Sequence, residues 1–191
     1  AEALLERYPS IYRGMVLEHS LNPPDTDLFD PAIQFALNYF AAVRGDKSVS
    51  AVLAPLGTKS RKNVFIARRL VHHGVTAYLQ SRFSDSEQFY DDAEAALNGA
   101  GSVFDDLWIK LKRADTRLRS ARADAVGRQL DIGSAARLVD EVISKSRSLK
   151  FSWLLGQALA SKSVMSMTTS NLDEIQPLLK EAVEILTAVD A

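Results

Sequence analysis

Between Ser102 and Val126, apolar and small residues recur at alternating spacings of three and four: Phe104, Leu107, Leu111, Ala114, Leu118, Ala121 and Ala125. A strand would need a spacing of two. This period instead places every one of them on a single stripe of an α-helix. The alanines along it leave room for a neighbouring helix to approach closely. A segment of this kind buries its stripe only by joining other helices, so it predicts a multi-helix bundle.

The rest of the chain follows the same pattern. Asp30 before Pro31 reads as an N-cap with proline at the first helical position, and Ile33, Ala36, Leu37 and Phe40 continue at helical spacing to Gly45. Val49 to Leu56 has β-branched residues, but no second strand candidate lies nearby, so it is read as helix. Lys59 to His73 is a further helix, with Gly74 as an end or a kink before Val75 to Phe83. Ser84-Asp85-Ser86-Glu87 has the form of a capping box. Asp131-Ile132-Gly133-Ser134 reads as a turn, with a new helix from Ala135 carrying Leu138, Val139, Val142 and Ile143 inward. A break around Ser146 to Lys150 precedes Trp153, Leu154, Leu155, Ala158 and Leu159. A last helix, capped by Ser170 or Asn171, carries Ile175, Leu178, Leu179, Ala182, Val183, Leu186 and Val189.

With 191 residues, 47% of them hydrophobic, the chain can bury the core of one all-α domain spanning 1–191. Residues 102–191 are its most regular part. Asn22-Pro23-Pro24-Asp25 breaks the chain after residues 1–21, which read as an N-terminal arm on a more loosely attached first 45 residues. No apolar run approaches the roughly 20 residues that cross a bilayer, so no membrane insertion is expected. The absence of cysteine excludes disulfides, thiol nucleophiles and thiolate metal sites, and fits a reducing compartment such as the cytoplasm.

A formal net charge of −1 hides a block pattern. Residues 47–84 hold seven bases (Lys47, Lys59, Arg61, Lys62, Arg68, Arg69, Arg82) and no acid. Residues 85–109 hold seven acids (Asp85, Glu87, Asp91, Asp92, Glu94, Asp105, Asp106) and no base. Residues 110–128 again hold seven bases, against two acids. Either the blocks are neighbours that neutralise each other, each surface pair contributing about 0–1 kcal/mol, or the first basic block is a site for a polyanion or for the acidic face of another copy.

On a helix from Arg61, the cations Arg61, Lys62, Arg68, Arg69, His72 and His73 fall within an arc of roughly 140°, opposite Val64, Ala67, Leu70 and Val71. Phe65 lies inside that arc. Cations for phosphates beside an aromatic ring for a base are what a single-stranded RNA site requires. The expected polyanion-binding residues are therefore Lys59, Arg61, Lys62, Phe65, Arg68, Arg69 and His72. Glu87, Asp91 and Glu94 share one helical face and are expected to meet the basic face of a neighbouring copy in a homo-oligomer.

Arg68 and His73, with four residues between them, resemble the Arg-x4-His motif of HEPN-type ribonucleases, which are also helical bundles. That resemblance implies a ribonuclease or toxin in which Arg68 positions the phosphate and His73 serves acid–base cleavage. His72 and His73 point about 100° apart on a helix and do not chelate one ion, so no metal site is expected. No phosphate-binding loop, dinucleotide fingerprint or nucleophile elbow occurs, and no cofactor is expected. The leading expectation is a non-enzymatic interaction and assembly protein with the logic of a nucleocapsid or coat protein, binding RNA or another polyanion. Besides the ribonuclease, a regulatory adaptor bundle holding a partner helix in a groove is the remaining alternative.

Overall fold

A computed structural model of the chain describes residues 47–57, 59–98, 102–123 and 128–190. The arm at 1–21, the proline-led helix after Asp30 and the loosely attached first 45 residues lie outside the described residues. Those that are described form helices α1 (Lys47–Leu53), α2 (Arg61–Leu79), α3 (Phe83–Leu97), α4 (Val103–Ala123), α5 (Arg128–Leu149), α6 (Ser152–Thr168) and α7 (Leu172–Asp190). A 3₁₀ turn, Ala54–Gly57, follows α1, and no strand occurs among them. Helix was the correct reading of the β-branched stretch from Val49.

The α4 seam organises the bundle. Phe104, Leu107, Leu111, Ala114 and Leu118 are buried in one cluster with Ala135, Val139 and Val142 of α5, Leu154 and Ala158 of α6, and Val64 of α2. Trp108 and Trp153 pack against this cluster with ring centroids 5.1 Å apart. A second cluster joins α2, α3 and α4 through Ala67, Val71, Tyr90, Ala93 and Ile109. A third holds α7 to α6 through Leu155, Leu159 and Ala182. Ser102 caps α4, its hydroxyl accepting the Asp105 backbone N–H at 3.2 Å.

Three helix boundaries differ from the sequence reading. α2 neither ends nor kinks at Gly74; it runs on to Leu79. Gly74 is there for packing. A Cβ at that position would stand 2.5 Å from the Tyr90 ring, so glycine is what lets α3 close onto α2. The capping box at Ser84 does not form, because α3 begins one residue earlier, at Phe83. Ser86 is buried instead, its hydroxyl donating to the Gly74 carbonyl at 2.9 Å and lying 3.1 Å from Thr116 Oγ1. Asp131–Ser134 does not turn the chain, because α5 passes straight through it. Ile132 packs on the main core, and that contact outweighs the weak helix propensity of Asp, Gly and Ser.

The corners share one construction. Arg82, Phe151 and Asn171 each donate a backbone N–H to the carbonyl five residues earlier, at 2.9, 2.8 and 2.9 Å. The residue before each (Ser81, Lys150, Ser170) has φ near +60°, the left-handed conformation that closes a helix C-terminus. Glycine usually takes this position, and none of the three corners has one, so the breaks near Lys150 and Ser170 were legible but the left-handed closure was not.

Candidate functional site

The seven bases of residues 47–84 do not share one surface. Arg68 is 1% exposed. Its Nε donates to Asp105 Oδ1 at 2.7 Å, and its Nη2 donates to Asp105 Oδ2 at 3.0 Å and to the Val52 carbonyl at 2.7 Å. The Ser102 hydroxyl also donates to Asp105. One guanidinium thus ties α1, α2 and the start of α4 together. Arg68 is about 40° from Val64 around the helix, at the seam between the basic arc and the apolar stripe, and a buried carboxylate draws it inward. Arg68 therefore does not join the exposed basic face.

This placement separates Arg68 from His73. They lie about 140° apart around α2. Arg68 is buried against Asp105, whereas His73 is exposed, its ring centroid 5.6 Å from that of Phe89. The geometry does not converge the two on one phosphate.

What stays at the surface is the first turn of α2 and the outer face that follows it. Lys59, Lys62, His72 and His73 are exposed; Arg61 and Arg69 are half-buried. No carboxylate of the described residues forms an ion pair with Lys59 or Lys62, and α2 has no acidic side chain in its first turn. The positive end of the helix dipole therefore coincides with Lys59, Arg61 and Lys62. Phe65 is half-buried against the main core, and the Arg61 guanidinium lies 5.4 Å from its ring centroid. One face of that ring is covered by Arg61.

Compared with protein-family models, with curated proteins and with solved structures, this chain matches none.

The acidic face is engaged within the chain. Arg113 of α4 reaches Asp91 at 2.6 Å, Glu94 at 3.3 Å and Glu87 at 3.4 Å. Arg117 reaches Glu87 at 3.1 Å. Glu87, Asp91 and Glu94 thus lie along α3 as partners of α4. Acidic and basic neighbours do pair, but it is the second basic block that the acids take up. No group of three or more His, Asp or Glu residues among the described residues is arranged to hold a metal ion. None of the helices in the described part is long and apolar enough to cross a membrane.

Two features escaped the sequence reading. One is the exposed apolar stripe of α7: Leu172 (70% exposed), Leu179 (42%) and Val183 (61%). Among the described residues α7 packs mainly on α6, with Arg147 of α5 reaching Glu181 at 2.5 Å, and this leaves Leu179 and Val183 exposed beside the buried Ala182. The other is a cleft beside α4, described below.

Proposed function

We propose that this chain is a non-catalytic helical binding protein that takes up single-stranded RNA, or a comparable polyanion, by its phosphates along the start of α2. One observation carries the reading: Lys59 and Lys62 have no ion-pair partner among the described residues and stand at the positive end of α2, in a block with no acid of its own. A helix N-terminus normally attracts acidic side chains. Here cations fill that place, and an external anion relieves their mutual repulsion. With one face of the Phe65 ring covered by Arg61, affinity comes from phosphate contacts, so it is weakly sequence-dependent and falls steeply with salt.

Self-association belongs to the same reading, but Glu87, Asp91 and Glu94 do not support it, since α4 holds them. The exposed stripe Leu172, Leu179 and Val183 is the surface that favours it. The same stripe is the feature that favours the adaptor alternative, in which it receives a partner helix.

Fluorescence anisotropy with a labelled single-stranded RNA tests the binding. The expected result is saturable binding at low salt that weakens about tenfold or more on charge reversal at both Lys59→Glu and Lys62→Glu. Absence of binding at low salt overturns the reading. Cleaved RNA would return the ribonuclease to the front. Light scattering on Val183→Lys tests self-association: a native oligomer that becomes smaller in the variant supports the α7 stripe, and an unchanged mass removes it.

A further inference from the structure

Two arginines of the second basic block line a cleft of about 760 Å³ between α4 and α6. It is within the range of small-molecule sites. Asp115, Arg119 and Arg122 line it from α4 at spacings of four and three, so they form one stripe. Ala160, Ser161 and Val164 face them from α6, and the α2–α3 corner closes one end with Tyr78 and Phe83.

The charges within the cleft do not cancel. Asp115 already has its partners: it accepts the Ser161 hydroxyl at 2.8 Å and lies 3.6 Å from Lys112 Nζ. Arg119 is stacked over the Tyr78 ring at 4.8 Å from its centroid, and no carboxylate of the described residues pairs with it. Arg122 donates to Thr168 Oγ1 and to the Val164 carbonyl, both neutral acceptors. Among the described residues two guanidiniums therefore remain without a carboxylate, and their contacts with Tyr78, Thr168 and Val164 hold them in place. Planar guanidiniums fixed in this way match carboxylate and phosphate oxygens. Phe83, Leu118 and Val164 offer apolar surface beside them.

We propose that this cleft binds a small organic anion with an apolar body, its carboxylate or phosphate meeting Arg119 and Arg122 and its hydrocarbon part lying against Phe83, Leu118 and Val164. The site is separate from the start of α2 and does not depend on RNA binding there. The alanine at position 160 keeps the cleft open, and a larger side chain there would fill it.

Isothermal titration of the full chain with octanoate, octyl phosphate, octanol and octylamine tests this. Octanoate or octyl phosphate should bind saturably, with octanol and octylamine about tenfold weaker or worse, since each loses the charge-assisted bonds. The tighter anion identifies the head group. Arg119→Gln and Ala160→Leu should each weaken the anion about tenfold while leaving the circular dichroism spectrum unchanged. Lys59→Glu with Lys62→Glu should leave it as it was, which separates this site from the RNA surface. No saturation by either anion at about 10 mM overturns the proposal, as does octanol or octylamine binding as well as octanoate. An undiminished affinity in a folded Arg119→Gln protein also overturns it.

Discussion

The two basic blocks carry seven bases each and have opposite fates. In residues 110–128, α4 packs against α3 and α5, and four of its cations meet a carboxylate, while Arg119 and Arg122 meet none among the described residues. Lys110 pairs with Glu141 at 2.9 Å and Asp106 at 3.1 Å, Lys112 with Asp115, and Arg113 and Arg117 with the acids of α3. In residues 47–84 Arg68 pairs with Asp105 and Arg82 meets Asp85 at 2.5 Å, while Lys59 and Lys62 have no ion-pair partner among the described residues. Lys59, just before α2, and Lys62, in its first turn, are exposed. The difference lies in the neighbours: among the described residues α4 is flanked by the acids of α3 and by Glu141 of α5, whereas Lys59 and Lys62 meet none. Equal counts in the sequence therefore give unequal charge at the surface.

The largest effect should come from the one member of the first block that left the surface. Arg68→Ala strands Asp105 without its partner in the core, and chemical denaturation should register a loss of about 3–5 kcal/mol. Replacing both partners with apolar residues, Arg68→Met with Asp105→Leu, should recover much of it. A loss under about 1 kcal/mol for the single variant would place Arg68 with the surface charges and dissolve the contrast.

Next in size is the packing that brings α3 against α2. Gly74→Ala drives a methyl group into the Tyr90 ring, and the expected cost is about 1–3 kcal/mol by the same measurement. A neutral result would mean that α2 and α3 have room to separate.

The surface pairs sharpen the comparison from the other side. Arg113→Ala should cost only about 1 kcal/mol, less at high salt, although it removes contacts to three partly exposed carboxylates. Lys59→Glu with Lys62→Glu should leave stability within about 0.5 kcal/mol while removing RNA affinity. If the lysine variants unfold the protein, these lysines serve the fold and not a partner.

The smallest effects are pH-dependent and have opposite signs. Hydrogen bonds from Lys145 and Lys110 hold the Glu141 carboxyl below its usual range. Its contribution is present above the unfolded value and is lost as pH falls through the folded one, so Glu141→Gln should flatten the acid side of the stability profile. Burial raises the Asp115 carboxyl, against the opposing pull of Lys112 and Ser161. The folded state then holds that proton to higher pH than the unfolded state, and stability falls as pH rises through the folded value. Asp115→Asn should remove that decline. Thermal melts across pH 3 to 7 would show both, as roughly opposite changes of slope.

Much of the fold was legible because it rests on short-range periodicity. The α4 stripe and the inward Val139 and Val142 follow from spacing, since a helix repeats every 3.6 residues or so whatever surrounds it, and the helical reading of the stretch from Val49 followed from the lack of a second strand candidate. Only part of the candidate site was legible. The exposed Lys59 and Lys62 follow from the same geometry. The burial of Arg68 depends on Asp105, 37 residues away, and its angle around α2 allowed either face. The turn expected at Asp131–Ser134 and the capping box at Ser84 failed for a related reason, because packing of Ile132 and Ser86 overrode local preference.

By itself, then, the sequence determined that the described part is helical, where most of its helices run, and that charge comes in blocks. Local backbone geometry and hydrophobic period decide those things within a few turns. Only the tertiary structure decided which charges cancel, which arginine is buried, that α7 shows an apolar stripe and that Arg119 and Arg122 face a cleft. Each of these depends on which helices become neighbours, and burial against a distant partner changes the energy of a charge far more than the residues beside it in the chain.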